Sequence, residues 1–238
     1  MPSFPEVILR KKITESTMDD AAAAVKDGYG HGTLCMAEYQ RTGRGRLPGR
    51  VWENVQAALM FTVILNKDFF HVPYPATQSL ALALCRYMEK HLHLAPQIKW
   101  PNDVLLSGKK VAGILVETDG PFILAGMGLN LLVGTQKEVV PTITDLYTAS
   151  GAVLEREEVL RGIVNEMEEL GRQPASVEEL RQRLAFQGRE IGVWLGAPSL
   201  SHGVRQGKIV GLQNDGALLL DTGSKEFLPV YSGEIDFS

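Results

Sequence analysis

Apolar residues recur at Leu80, Ala83, Leu84, Tyr87 and Met88, a spacing that predicts one buried helix face across Ala76–Leu94, punctuated by Pro75 and Pro96. Leu160, Ile163, Val164 and Met167 repeat that spacing and predict a helix over Glu157–Leu170. Ser176 followed by Glu179 reads as a capping box opening another. Ser16, three residues before Asp19, reads as the N-cap of a short helix through the alanine run Ala21–Ala24, ending before Gly28. Leu34–Glu38 and Ala57–Leu65 are strand-like, and the second is so continuously apolar that it predicts a strand buried on both faces. Gln97–Trp100, Val104–Leu106 and Val111–Glu117 predict further strands, with a hairpin at Ser107-Gly108-Lys109. A turn at Asp119-Gly120 leads into Phe122–Ala125 and Leu129–Val133. Beyond about Gly188 the texture changes to short strands between turns at Gly196-Ala197-Pro198, Gly207, Asn214-Asp215-Gly216 and Thr222-Gly223-Ser224. The expectation is an α+β fold: a mixed β-sheet with flanking helices over residues 1–187 and a small β-barrel over 188–238.

Composition narrows the field. The 238 residues carry 24 basic and 28 acidic side chains, a net charge of −4, with 45% hydrophobic and 22% charged content. Those values fit a globular protein and exclude disordered, collagenous and coiled-coil classes. A net-acidic chain is also poorly suited to being held on nucleic acid by overall charge. Cys35 and Cys85 lie in apolar runs far apart, which predicts reduced buried thiols and a cytoplasmic setting. No apolar run reaches the roughly 18 residues a bilayer span requires, and the first ten residues lack a signal core, so neither membrane attachment nor secretion is expected.

Three segments carry candidate chemistry. Gln40-Arg41-Thr42-Gly43-Arg44-Gly45-Arg46-Leu47-Pro48-Gly49-Arg50 holds four arginines and no acid. Its glycines permit close backbone approach, and its guanidinium groups suit phosphate or carboxylate oxygens. A solvated mobile loop is the plain alternative. Lys99-Trp100-Pro101-Asn102-Asp103, followed by Lys109-Lys110, places acceptors for a hydroxyl or hydrated Mg²⁺ beside compact positive charge at a strand end. As a bare sequence, Asn-Asp is equally a turn. Gly126-Met127-Gly128-Leu129-Asn130 alternates glycines within a strand pattern, which signals either something lying against the backbone or a bulge. It fails as a dinucleotide fingerprint, since the third glycine and the following helix are missing.

Taken in order, the Gly-Arg-Gly-Arg loop, Lys-Trp-Pro-Asn-Asp, Lys110-Val-Ala-Gly-Ile-Leu-Val-Glu117 and Gly-Met-Gly-Leu-Asn resemble the biotin protein ligases. The likeness runs from about Glu15 to Val133, and the tail Gly207–Ile235 resembles that family's C-terminal SH3-like barrel. The resemblance implies a class II synthetase-like catalytic domain. It implies the conversion of biotin and MgATP to biotinyl-5′-AMP, followed by transfer to a lysine of a biotin carboxyl carrier protein. It assigns Lys110 to charge stabilisation during adenylation, with Arg44 and Arg46 on phosphates and over the intermediate. Ser16, Thr17, Met18 and Gln40 fall at the biotin ring, Trp52 at the pocket wall, and Gly45, Gly113, Ile114, Leu115, Gly126 and Gly128 along biotin. Asn102, Asp103 and Asn130 fall near the nucleotide, with Asp103 toward Mg²⁺. Trp100 is expected in the core.

The loop is one residue longer than the family's usual spacing before Arg50, and Met18 stands where asparagine is common. Only fifteen residues precede Ser16, too few for a helix-turn-helix, so the ligase-only form without DNA binding is expected. The alternatives are lipoate ligation, a non-catalytic biotin- or adenylate-binding regulator, and a nucleic-acid module built on the arginine loop. A homodimer through strand edges is a further expectation that the sequence leaves open.

Overall fold

The computed structural model describes residues 4–47, 49–134, 140–195 and 203–236, so the turn expected at Gly196-Ala197-Pro198, together with Pro48 and Phe237, lies outside the described residues. The first unit runs β1 (Val7–Thr14), α1 (Thr17–Lys26), β2 (Thr33–Gln40), β3 (Ala57–Asn66), α2 (Ala76–Leu92), β4 (Pro96–Lys99), β5 (Asp103–Leu106), β6 (Lys109–Asp119) and β7 (Phe122–Leu132). It continues with α3 (Leu146–Ser150), α4 (Arg156–Arg172) and α5 (Val177–Gln182). The strands form one sheet in the order β1-β2-β3-β7-β6-β5-β4. β1 and β2 are parallel, whereas the remaining pairings are antiparallel, so the sheet is mixed.

β3 is central because both its faces are covered. Leu59, Phe61, Val63 and Leu65 enter the large core packed under α2 and α4, while Ile64 joins Met18, Ala21, Ala24, Cys35 and Leu124 beneath α1. That double burial is why its sequence does not alternate. α1 is short, and the stretch of sheet it leaves uncovered on its own face, over β6 and β7, becomes a cavity. Cys35 and Cys85 are buried free thiols, and burial pushes the Cys35 thiol up to about 11. No helix among the described residues is long and apolar enough to cross a membrane.

The barrel comprises β8 (Glu190–Trp194), β9 (Val204–Leu212), β10 (Leu218–Asp221), β11 (Leu228–Val230) and β12 (Glu234–Asp236), an antiparallel sheet ordered β11-β10-β9-β8-β12. Its buried side chains, including Val193, Ile209 and Leu218, belong to the same apolar cluster as α2 and α4. Two buried donors bolt it down: Gln78 Nε2 (2.8 Å) and Trp100 Nε1 (3.2 Å) both donate to the Gly216 carbonyl. Trp100 is thus a core residue, as expected.

Three details depart from the sequence pattern. β1 is not announced, because Arg10-Lys11-Lys12 interrupts its apolar residues. This charged strand sits at the sheet edge, where cations discourage further pairing. The stretches around Gly126 and Gly128 are one continuous strand, not two. Ser176 does stand at the N-cap of α5 but makes no side-chain capping bond, and Glu179 is instead drawn into a paired contact with Arg86 at 2.8 and 3.2 Å.

Replacing a helical glycine by alanine ordinarily stabilises a helix by up to about 1 kcal/mol. Gly162 of α4 reverses that sign, because an added Cβ would overlap one edge of the buried Tyr87 ring. Gly162→Ala should destabilise the fold by about 1–3 kcal/mol, the range of overpacked cores, read as a lower denaturant midpoint. An unchanged or higher midpoint would contradict this packing.

Candidate active site

The cavity of about 490 Å³ is floored by backbone. Register places Thr62, Gly126 and Leu115 in one cross-strand row, and Met60, Gly128, Gly113 and Asp103 in the next. Alternation along β7 turns Gly126, Gly128 and Asn130 to one face while Ala125, Met127 and Leu129 enter the core. The glycines are not bulges. A Cβ on Gly128 would lie 2.6 Å from the Trp52 indole, and one on Gly126 would lie 2.8 Å from Met18 Sδ. Strand stability is thereby given up so that an aromatic ring and a thioether can lie directly on the sheet.

One end of the cavity is a polar network set by the start of α1. Ser16 caps the helix by accepting from Met18 N–H (3.2 Å). Gln40 Oε1 accepts from Thr17 N–H (2.7 Å) and Thr17 Oγ1 (3.1 Å), and Thr62 Oγ1 bonds Thr17 Oγ1 at 2.9 Å. Asn54 holds the Gln40 backbone from both its N–H and its carbonyl side. Ser16, Thr17 and Gln40 are buried yet line the cavity, with Thr62 and Asn54 bracing them from behind, so they present a fixed pattern of donors and acceptors to a polar ring.

At the other end, Lys110 Nζ lies 2.8 Å from Asp103 Oδ1, an ion pair without hydrogen-bond alignment, and 5.9 Å from the centre of the Trp52 ring. Asn102 is tied to Ile114, donating from Nδ2 to its carbonyl (3.1 Å) while its own carbonyl accepts the Ile114 N–H (2.9 Å). Arg46 Nε and Trp52 Nε1 are buried in the cavity wall without a hydrogen-bond partner. Buried donors of this kind are uncommon in native proteins and point to an acceptor that arrives with a ligand. Burial lowers the pKa of the Arg46 guanidinium, opposed by Glu234 and Asp103.

The arginine loop folds as an irregular hairpin across the cavity. Arg44 and Val51 form an antiparallel bridge, Gly45 N–H donates to the Arg50 carbonyl (2.8 Å) and Trp52 N–H to the Gly43 carbonyl (2.8 Å). Gly43 and Gly45 face this returning limb. A Cβ on Gly45 would stand 2.8 Å from Arg50 Cβ, so these glycines serve the approach of backbone to backbone. Arg46 donates to the Gly233 carbonyl and Arg50 pairs with Glu234 (3.1 Å), which ties the loop to the barrel.

The structure thus gathers Ser16, Thr17, Met18, Gln40, Arg44, Gly45, Arg46, Trp52, Asn102, Asp103, Lys110, Gly113, Ile114, Leu115, Gly126 and Gly128 around one cavity. Asn130 is set apart: it shares the glycine face but is buried beyond the cavity, donating to the Thr144 carbonyl (3.0 Å). Arg44 lines the cavity, but its guanidinium meets Asp19 and Glu117. Thr62, Asn54 and Glu234 were not among the sequence candidates. Thr62 had a signal, being the one hydroxyl in the apolar run Ala57–Leu65, whereas Asn54 and Glu234 act through contacts that no local pattern marks.

Among the described residues no cluster of three or more His, Cys, Asp or Glu side chains could hold a metal. Asp103 and Glu234 are the carboxylates among the cavity-lining residues. Magnesium bound to a nucleotide takes most of its ligands from phosphates and water, with one or two carboxylates, and Asp103 fits as such a single contact.

The mixed sheet with its glycine floor, lysine–aspartate pair and arginine hairpin over the opening is the catalytic domain of a ligase family, as its relatives show. Residues 11–132 match the biotin/lipoate A/B protein ligase family, and residues 199–238 match the biotin protein ligase C-terminal domain. The chain belongs to the biotin/lipoate A/B protein ligase family. It is 30% identical to the biotin–[acetyl-CoA-carboxylase] ligase of Mycobacterium tuberculosis, over 93% of this chain and 85% of that protein. It is 28% identical to the bifunctional ligase/repressor BirA of Bacillus subtilis, over 94% of this chain and 72% of that protein. Among solved structures, the biotin protein ligase from Aquifex aeolicus in complex with biotin and ATP superposes with a TM-score of 0.83 at 27% identity, covering 97% of this chain and 98% of that one.

Because the loop closes through Gly45, Gly45→Ala should push its limbs apart without touching the core. Trypsin should then cut after Arg44, Arg46 or Arg50 several-fold faster than in the parent protein, at an unchanged denaturant midpoint. Equal cleavage rates would show that the hairpin does not depend on this close approach.

Proposed function

We propose that this protein is an ATP-dependent biotin protein ligase that forms biotinyl-5′-AMP and transfers the biotinyl group to a lysine of a biotin carboxyl carrier domain. The observation that carries the reading is the glycine-floored cavity, with a polar network at one end and Lys110 with the unpartnered Arg46 and Trp52 donors at the other. That is a slot for a flat ring carrying an apolar arm that ends in an acid. The Gln40, Thr17 and Ser16 network would receive the ureido ring, and the apolar arm would run over Gly126 and Gly128 beside Trp52.

In the first step a biotin carboxylate oxygen attacks the ATP α-phosphorus, a phosphoanhydride bond breaks and pyrophosphate leaves. Lys110 would draw the carboxylate and the α-phosphate together by offsetting their mutual repulsion, charge stabilisation that acts mainly in the transition state. Arg46 would follow the phosphate oxygens through its unpartnered Nε–H. Asp103, with Asn102 beside it, would offer a single carboxylate contact to magnesium carried in on ATP, and that ion would supply screening of the polyphosphate charge. In the second step the neutral amine of the carrier lysine attacks the anhydride carbonyl, releasing AMP and forming an amide. Neither step asks for a nucleophilic side chain on the enzyme, and the hairpin would keep water from the anhydride.

We place the catalytic unit at residues 1–187 and the barrel at 188–238, a division supported by the change from helix-flanked sheet to short strands. A cytoplasmic setting is supported by the buried free thiols. The C-terminal match and the names of the relatives favour biotin over lipoate.

The test is pyrophosphate release from MgATP with biotin, with lipoate or with no acid, followed by labelling of a biotin carrier domain. Biotin-dependent release with carrier labelling is expected. Lys110→Ala should slow adenylate formation by about 10²-fold or more, the scale of removing one transition-state donor. Release with lipoate alone, or a Lys110→Ala rate equal to the parent's, would overturn the assignment.

A further inference from the structure

Arg44 holds a different position from its neighbours in the loop. Arg46 and Arg50 reach the barrel, whereas Arg44 points the other way, with Nη1 2.8 Å from Asp19 Oδ1 and Nη2 3.6 Å from Glu117 Oε2. Asp19 lies in the first turn of α1 and Glu117 lies on β6, so one guanidinium joins the loop to both a helix and a strand. The preceding loop residues are pinned at the same end, by Arg41 to Glu15 at 3.0 Å and by the Thr42 hydroxyl to the Glu15 carbonyl at 3.2 Å. The bridge from Arg44 to Val51 passes this anchoring on to the returning limb that carries Trp52.

We propose that Asp19 and Glu117 are positioning residues that hold Arg44, and through it the hairpin, closed over the bound acyl-adenylate. This rests on the ligase reading above and alters one part of it: Arg44 acts by clasping protein carboxylates and not by holding phosphate. A guanidinium already flanked by two carboxylates has its positive charge largely answered, and it offers less to a polyphosphate than Arg46 with its unpartnered Nε–H. The clasp is built from half-exposed pairs, which are individually weak and are screened by salt. A weak clasp suits a cover that must open to admit substrates and the carrier lysine.

The experiment uses the full chain with Asp19→Asn, Glu117→Gln and the double variant. The first reading is the single-turnover rate of biotin-dependent pyrophosphate release and the KM for ATP. The second is steady-state pyrophosphate release without carrier, which is limited by escape or hydrolysis of the adenylate. The proposal expects single-turnover rates and KM for ATP close to those of the parent. Carrier-independent turnover in the double variant should rise by about threefold to tenfold at low ionic strength. Raising the salt should bring the parent up toward the double variant and leave the double variant little changed, and Asp19→Glu should restore most of the retention. A role confined to stability would not produce that salt convergence.

A lower KM for ATP with unchanged leakage would overturn the proposal, because the two acids would then only mask a phosphate ligand. Unchanged leakage and KM in all variants would overturn it as well, leaving two surface ion pairs. If the parent protein released no pyrophosphate with biotin, the ligase reading would fail first, an outcome distinct from either of these.

Discussion

The seating of the Trp52 indole on the bare backbone of Gly128 is the contact on which the site depends. It requires a strand residue without Cβ and a loop that returns to the sheet at the right height. The loop achieves that return because Gly43 and Gly45 let its two limbs meet. Gly43 and Gly45 in the loop and Gly128 on the sheet therefore serve one geometry, in which an aromatic wall lies over a smooth floor. Each weakens its own element locally, and the cost is carried by the deeply buried β3 and the helices beneath it.

The electrostatics follow from the same arrangement. The Trp52 ring stands beside the part-exposed Lys110–Asp103 pair, and Arg46 is held against the barrel through the Gly233 carbonyl. The buried part of the Arg46 guanidinium acts more strongly on a carboxylate or phosphate than it would at the surface, and Lys110 adds charge at the cavity's open side. The barrel is part of this arrangement as well. Its Gly216 carbonyl takes the indole N–H of Trp100, two residues before Asn102, and its Gly233 carbonyl takes the guanidinium of Arg46. Both halves of the site are braced against the same small sheet.

Much of this was legible in the sequence. The uninterrupted apolar run of β3, the helical spacing of α2 and α4 and the Ser16 cap were all visible, because each rests on local periodicity or capping chemistry. The motifs fell together around the candidate cavity because short segments at strand ends and in glycine-rich turns carry its charge and its bare backbone. What could not be read were partnerships across long sequence separations. The loop glycines read as room for a ligand, yet they make room for Arg50 and Trp52. Arg44 read as a phosphate ligand, yet it faces Asp19 and Glu117. Asn130 read as part of the site, yet it ties β7 to Thr144. β1 was hidden by its own edge charges, and Ser176 with Glu179 looked like a capping box because the pattern does not record that Glu179 is claimed by Arg86.

The central claim is that the backbone floor under Trp52 is the biotin slot, and calorimetric titration of biotin into Gly128→Ala tests it most directly. A methyl group there would collide with the indole and raise the floor. The account predicts at least about tenfold weaker binding, equivalent to about 1.4 kcal/mol, with the denaturant midpoint little changed. Biotin affinity equal to the parent's in a folded Gly128→Ala protein would contradict it, and would place the acid's site elsewhere on the sheet.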